Sequence, residues 1–414
     1  MVENKKILVA VTGSIAIYKV CDLVREYIKA GAQVKVVMSS AATKFITPLT
    51  FEALTRQPVL TEQNESWSNE NNHIDCAKWA DLMVVAPATA NTINKLSKGV
   101  ADNLLTQTFL ACKAKKIVAP SANTAMLEDA NTVASLKMLR VNECVIVAPQ
   151  EKLLACGDVG KGALAQVDDI FDESVRVLNE DAFYKDRKII VTSGGGREKI
   201  DDVRYISNFS SGKMGASLAK WLYYMGADVF YLSFTKNKVP TKVHSLQVES
   251  SSEMAQYLND AIRVAKKGKL SQVTMQSGPQ TLIQKKPMLF MAAAVSDYLP
   301  AYPQKGKIKK QDIGSQWNLE LRQNSDILAS TDKEGITTIG FKAEFDSKNG
   351  YKNAKQMLKS KGLDAVCLNI LNGVQSFGSD TNEVTFITHT TDTHFEKASK
   401  LEIASKIAQS CKQL

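Results

Sequence analysis

Apolar residues in this chain come in short, largely β-branched blocks. Each block is closed by a glycine, a proline or a hydroxyl side chain, and several are followed by a helical period. Ile7 to Val11 is the first block, ended by Thr12-Gly13-Ser14. The spacing beyond it predicts a helix from about Ile15 to Ala30, with Tyr18, Leu23 and Tyr27 on its buried face and Gly31 as its stop. A second strand follows in Gly31 to Ser39. Leu82 to Ala86, Ile117 to Ala119 and Val145 to Val147 read as further buried strands, leaving the sheet at Pro87, Pro120 and Pro149. The loops Pro87 to Thr92, Pro120 to Thr124 and Ala155 to Gly162 are small and polar, and converge on one sheet edge.

The same plan returns in mid-chain. Ile189-Ile190-Val191 ends in Thr192, Ser193 and three glycines; a helix is expected from about Met214 to Met225, and Val229 to Leu232 begins the next strand. The loop between carries Arg197, Asp201, Arg204, Asn208, Ser210, Ser211 and Lys213. Leu289 to Val295, Thr337 to Phe341 and Ala365 to Leu368 are strands, with a helix near Ser252 to Lys267 and a polar insertion from Gly268 to Lys286. The fold class is therefore α/β, with two doubly wound, Rossmann-like domains built on mainly parallel sheets. Val167 to Asp186 is an acidic amphipathic helix with a linker, which places the domains at residues 1–186 and 187–414.

Composition narrows the class. The 414 residues are 44% hydrophobic and 23% charged, as in ordinary soluble proteins. Apolar runs are strand-length, so no membrane segment is expected, and the N-terminus reads as a strand rather than a signal peptide. Seven cysteines without a CxxC pair fit reduced thiols in a cytoplasm. The four histidines show no zinc-binding spacing. The net charge of +9 has no long basic run or basic-aromatic interleaving behind it, so anionic small molecules are expected rather than nucleic acid.

A few residues stand where chemistry can occur. Glycine and serine at the first turn, with a helix start behind them, can hold one phosphate, which suits a mononucleotide such as FMN. His73 precedes a helical run, Asn123 follows a strand exit, and Cys156 sits in a glycine-rich loop where a thiol can donate a proton. Lys307, Lys309 and Lys310 form a glycine-bounded basic loop after the strand that ends at Asp297. These features alone end at two α/β domains, each holding a phosphorylated ligand, and name no reaction.

The assembled motifs go further. VTGSIAIYK, HIDCAKWADLMVVAPATANTINKLSKGVADNLL and ACGDVGKG resemble the flavoprotein half of the bifunctional phosphopantothenoylcysteine decarboxylase/phosphopantothenate–cysteine ligases of bacterial coenzyme A biosynthesis. SGGGREKIDDVRYISNFSSGKMG, AAAVSDY, GKIKKQ, NSDIL, GFKAE and FGSDTNEV resemble the ligase half. The resemblance implies that the first half binds FMN, oxidises the cysteinyl thiol of phosphopantothenoylcysteine, releases carbon dioxide and reduces the ene-thiolate to 4′-phosphopantetheine. It implies His73 as base, Asn123 on the substrate carboxylate and Cys156 as proton donor, with Gly13, Ser14, Ser39, Ala88, Thr89 and Asn91 contacting flavin.

The second half is implied to join 4′-phosphopantothenate to cysteine with CTP and Mg2+ through an acyl-cytidylate. Asn208 then holds the acyl intermediate, Asp297 the cytosine or ribose, and Lys307 phosphate charge. Ser325, Asp326, Ile327, Leu328, Phe341 and Lys361 are implied as further CTP contacts. The family also implies a homo-oligomer, with flavin sites at subunit contacts. Four positions depart from its pattern: Ala122 replaces a methionine, Ser325 a proline, Met357 a lysine near the nucleotide phosphates, and Ala163 an arginine whose charge Lys161 is placed to supply. An alternative keeps the ligase active and makes the flavin half weak or structural.

Overall fold

The computed structural model describes the chain except for residues 69–70, 155–156, 276, 278, 310, 312–313, 372 and 374–377. Its contacts divide the chain into two compact units. One is Met1–Glu180 together with Ser271–Thr281; the other is Asp181–Leu270 together with Leu282–Leu414.

The first unit begins β1 (Lys6–Val11), α1 (Ile17–Lys29), β2 (Gln33–Met38), α2 (Pro48–Thr55), α3 (His73–Trp79) and β3 (Leu82–Ala88). It continues with α4 (Ala90–Lys98), α5 (Leu104–Ala111), β4 (Lys115–Pro120), α6 (Thr124–Glu128), α7 (Ala130–Val141) and β5 (Val145–Ile146). A hairpin of β6 (Gln150–Leu153) and β7 (Val159–Ala163) precedes α8 (Val167–Asn179). The sheet runs β2-β1-β3-β4-β5, every pair parallel, with Val9 opposite Val36 on one side and Val84 on the other. Buried on both faces, its strands read as continuous apolar runs, as parallel strands do. Leu8, Val85, Val118, Ile93 and Phe109 belong to one core cluster.

Tyr18 departs from expectation. The buried stripe of α1 is Ile17, Val20, Leu23, Val24 and Tyr27. Tyr18 follows Ile17 and so points about 100° around the helix, where it is 60% exposed.

The second unit repeats the design with more strands. In chain order it contains β8 (Lys188–Ser193), β9 (Arg197–Lys199), β10 (Tyr205–Ser207), α9 (Lys213–Tyr224), β11 (Asp228–Ser233), β12 (His244–Gln247) and α10 (Ser251–Ala265). Then come β13 (Lys269–Leu270), β14 (Leu282–Ile283), β15 (Met288–Met291), β16 (Tyr298–Pro300), β17 (Leu321–Gln323), α11 (Ile327–Ser330) and β18 (Thr337–Glu344). The chain ends with α12 (Ser347–Ser360), β19 (Ala365–Ile370), β20 (Thr381–Thr388), β21 (Asp392–Ser399) and α13 (Lys400–Ser410). Its eight-stranded sheet runs β12-β11-β8-β15-β18-β19-β20-β21, parallel except for the last two strands.

Two details differ from the sequence reading. The strand expected to Val295 leaves the sheet at Met291, because Ala294 pairs instead with the glycine turn after β8: its N–H donates to Gly194 O at 2.8 Å and its carbonyl accepts from Gly196 N at 3.2 Å. The antiparallel pair β20–β21 was not foreseen. Its strands alternate buried and exposed positions weakly, so they lack the apolar runs that marked the others.

Phe290 lies fully buried at the middle of this sheet, between β8 and β18. Phe290→Ala should destabilise the protein by about 3–5 kcal/mol through lost burial and a residual cavity. Chemical denaturation checks this, and a loss below about 1 kcal/mol would contradict the packing described.

Candidate active sites

In the first unit, the carboxyl ends of β1, β3 and β4 are tied together. Thr12 Oγ1 donates to Pro87 O at 2.6 Å and accepts from Thr89 N at 3.1 Å, while Ser14 Oγ lies 3.3 Å from Ser121 Oγ. α1 then starts at Ile17 without a side-chain cap; Ile17 N and Lys19 N donate instead to Ser14 O and Ala16 O, each at 3.1 Å, and the positive end of the helix faces the turn. Gly13 allows close approach: a Cβ there would lie 2.7 Å from Ala41 Cβ. Around this turn opens a cavity of about 760 Å³. Gly13, Ser14, Ser39, Thr89, Asn91 and Asn123 all line it. Ala88 is fully buried in β3 and is not among the wall residues.

Asn123 caps the short helix α6 by accepting from Ala125 N at 2.9 Å, and its amide reaches Asp158 Oδ2 at 3.4 Å. The β6–β7 hairpin docks on the same segment, with Ala122 N donating to Gly162 O at 3.1 Å. A side chain at Gly162 would stand 2.2 Å from Ala122 O, which explains the glycine. Cys156 lies outside the described residues.

His73 is placed elsewhere. It opens α3, its Nδ1 lies 2.7 Å from Glu65 Oε1, and its ring meets Trp67 edge-on with centroids 5.7 Å apart. It is not among the residues lining its own unit's cavity. Lys19, Glu62 and Lys152 do line that wall and were not singled out from the sequence. Lys19 sits one turn past a recognisable phosphate turn, which was the available signal.

The cavity suits a flavin mononucleotide. It combines an apolar volume with an uncapped helix start, a turn too tight for a Cβ, and hydroxyl and amide side chains.

The second unit holds a cavity of about 430 Å³ beside the ends of β15 and β18. Asp297, Ser325, Asp326, Ile327, Leu328, Phe341 and Lys361 all line it. Asp326 caps α11 through Ala329 N at 2.9 Å and pairs with Lys361 Nζ at 2.6 Å. Burial opposes its charge, but the Lys361 hydrogen bond and the backbone N–H groups outweigh burial and hold its pKa below the usual carboxylate value. Ser296 Oγ is buried at this wall without a protein partner among the described residues. Met357 also lines the wall, while nearby Lys355 is turned to Asp392 at 3.0 Å.

Asn208 and Lys307 are not wall residues. Asn208 Nδ2 donates to Val295 O at 3.1 Å, and Val295 does line the cavity. Lys307 is exposed on a loop held by the segment before β10. Gly306 N donates to Asp202 Oδ2 at 2.6 Å and Ile308 N to Asp201 Oδ2 at 3.2 Å. Asp201 is the hub: it is buried and also accepts from Val203 N at 2.8 Å, Arg204 N at 2.6 Å and Arg204 Nη1 at 3.0 Å. Among the described residues no group of three or more His, Cys, Asp or Glu side chains could hold a metal ion, and no helix is long and apolar enough to cross a membrane.

Comparisons with known proteins agree along the whole chain. The family model described as Flavoprotein matches residues 1–179, and that of the DNA/pantothenate metabolism flavoprotein C-terminal domain matches 184–268 and 269–414. The coenzyme A biosynthesis bifunctional protein CoaBC of Bacillus subtilis is 35% identical over 423 residues, covering 99% of this chain and 97% of that protein. A solved PPC decarboxylase, a cysteine-to-serine mutant complexed with pantothenoylaminoethenethiol, aligns at 30% identity over 42% of this chain and 98% of its own, with a TM-score of 0.38. The C-terminal domain of a CoaBC protein aligns at 26% identity over 55% of this chain and 95% of its own, with a TM-score of 0.43.

The geometry at Asp201 has a pH consequence. Burial would raise its pKa, but hydrogen bonds from Val203, Arg204 and Ile308 N–H and the Arg204 charge prevail and lower it. A depressed folded pKa contributes stability above the unfolded value of about 3.9, and loses it as pH falls through the folded value. Asp201→Asn should therefore flatten the fall in stability below about pH 4, measured by denaturant midpoints across pH. An unchanged acid slope would contradict the hub.

Proposed function

The chain belongs to the family of bifunctional coenzyme A biosynthesis proteins, enzymes that join a flavoprotein decarboxylase domain to a ligase domain, and from this premise we propose how its residues divide the work. The ligase half uses CTP to activate 4′-phosphopantothenate and couples it to cysteine. The first half then decarboxylates the phosphopantothenoylcysteine to 4′-phosphopantetheine. The observation that carries this reading is that seven residues expected to contact CTP line one cavity in the second unit, within a family match that spans 99% of the chain.

In the first unit, the Gly13–Ser14 turn and the positive start of α1 would hold the FMN phosphate, with Ser39, Thr89 and Asn91 on the rest of the nucleotide. Bound FMN supplies reversible two-electron chemistry, which makes loss of carbon dioxide from the cysteinyl carbon accessible. Asn123 offers its amide N–H to the substrate carboxylate. Cys156 delivers the final proton. Glu65 accepts the Nδ1 proton of His73 and so presents Nε2 as a base. Because His73 lies outside the wall of its own cavity, a second copy of the chain must bring it there. Ile15, Tyr18 and Met126 line the cavity yet are 61%, 60% and 51% exposed, a rim suited to such a homo-oligomer. The assembly works in the cytoplasm.

In the second unit, the carboxylate of 4′-phosphopantothenate attacks the α-phosphate of CTP and pyrophosphate leaves. Two anions meet, so a fixed cation contributes most. Lys307, on the loop anchored by Asp201 and Asp202, closes over the phosphates. Lys361 is held by Asp326 at the nucleotide wall. Mg2+ would enter on the phosphates of CTP, since this cation keeps few protein ligands. Asn208, fixed to Val295 O at the cavity edge, holds the acyl-cytidylate while cysteine arrives.

Lys307→Gln should slow pyrophosphate release by about two to three orders of magnitude, the scale of losing one preorganised charge contact. FMN content should stay normal. Pyrophosphate release from CTP and 4′-phosphopantothenate, measured without cysteine, checks this; release at the wild-type rate would make Lys307 a solvated loop residue.

A further inference from the structure

The flavin cavity carries a pair of cations outside the roles assigned above. Among its described wall residues the charged ones are Lys19, Glu62 and Lys152. Lys19 lies in the first turn of α1, and Lys152 lies on β6. The two side chains line the same wall, and burial, followed by the neighbouring Lys152 charge, lowers the Lys19 pKa. Among the described residues neither lysine has a carboxylate within ion-pair distance, while Glu62 accepts from Ser40 Oγ. Two adjacent cations repel, and a dianion between them removes the repulsion.

The hairpin register explains why Lys152 reaches the cavity and Lys161 does not. Lys152 is opposite Gly160, and Glu151 is opposite Lys161. Along β7, Gly160 and Gly162 are buried while Val159 and Lys161 are exposed. Paired residues share a face of an antiparallel ladder, so Lys152 stands on the inward face and Lys161 on the outward one. The charge expected where Ala163 now lies comes from the opposite strand.

We infer that Lys152 and Lys19 form the subsite for the phosphate monoester of the decarboxylase substrate. This rests on the decarboxylase reading. The flavin phosphate already has the Gly13–Ser14 turn. The phosphate of phosphopantothenoylcysteine is at the far end from its reacting cysteinyl group. With that group at Asn123, the phosphate remains towards the mouth, where Lys152 is exposed.

The test uses the FMN-loaded full chain titrated with 4′-phosphopantetheine and with pantetheine, which differ only in the phosphate. Binding is followed by flavin absorbance, which reports this cavity alone. Wild-type protein should prefer the phosphorylated ligand. Lys152→Gln should reduce that preference about tenfold to a hundredfold, the scale of one charge-assisted hydrogen bond. Lys152→Arg should keep most of it, and Lys161→Gln all of it. An undiminished preference in Lys152→Gln overturns the inference. So does a loss of affinity for FMN relative to riboflavin in that variant, which would assign the pair to the flavin phosphate. Wild-type protein that takes up no FMN removes the decarboxylase reading and the inference with it, and is recognised before any ligand is added.

Discussion

Parallel strands covered on both faces leave only their carboxyl ends free for polar chemistry, and both halves of this protein are arranged by that constraint. The first sheet gathers the turn after β1, the loop after β3 and the loop after β4 at one edge, and Thr12 and Ser14 tie them together. The second gathers the glycine turn after β8, the segment after β15 and the end of β18. Strand interiors are filled mainly by apolar side chains such as Val, Ile, Leu and Phe. The reacting groups consequently come from turns, helix starts and added hairpins.

Those additions distinguish the halves. The first uses a hairpin, β6–β7, seated by two glycines against Ser121–Thr124, and so brings a lysine to a mostly apolar cavity. The second uses a buried aspartate, Asp201, to fix a basic loop, and its cavity is smaller and more polar. The difference fits the proposed division of chemistry. Decarboxylation needs an enclosed site for a planar cofactor, whereas nucleotidyl transfer needs cations arranged around phosphates.

Much of this was legible in the sequence. Strand blocks such as Ile7–Val11 and Ile189–Val191 declare themselves because burial on two faces removes alternation. The phosphate turn at Gly13–Ser14 and the cluster from Ser325 to Lys361 carry motifs specific enough to place their residues in two cavities. Other features depend on tertiary geometry. Tyr18 and Ile17 are equally apolar, and only the direction of the α1 stripe separates them. Lys152 and Lys161 are both lysines in one hairpin, and only the register decides which faces inward. His73 opens a helix yet does not line the first unit's cavity, and the residues around it in the sequence do not tell that placement apart from one on the wall.

The central claim is that one chain performs ligation and then decarboxylation. It is tested most directly by supplying the FMN-loaded protein with 4′-phosphopantothenate, CTP, Mg2+ and cysteine labelled at its carboxyl carbon, and collecting carbon dioxide. The account predicts labelled carbon dioxide that depends on both CTP and 4′-phosphopantothenate, and that reaches equality with pyrophosphate. Sustained pyrophosphate release with no labelled carbon dioxide would contradict it and leave the flavin half without a catalytic role.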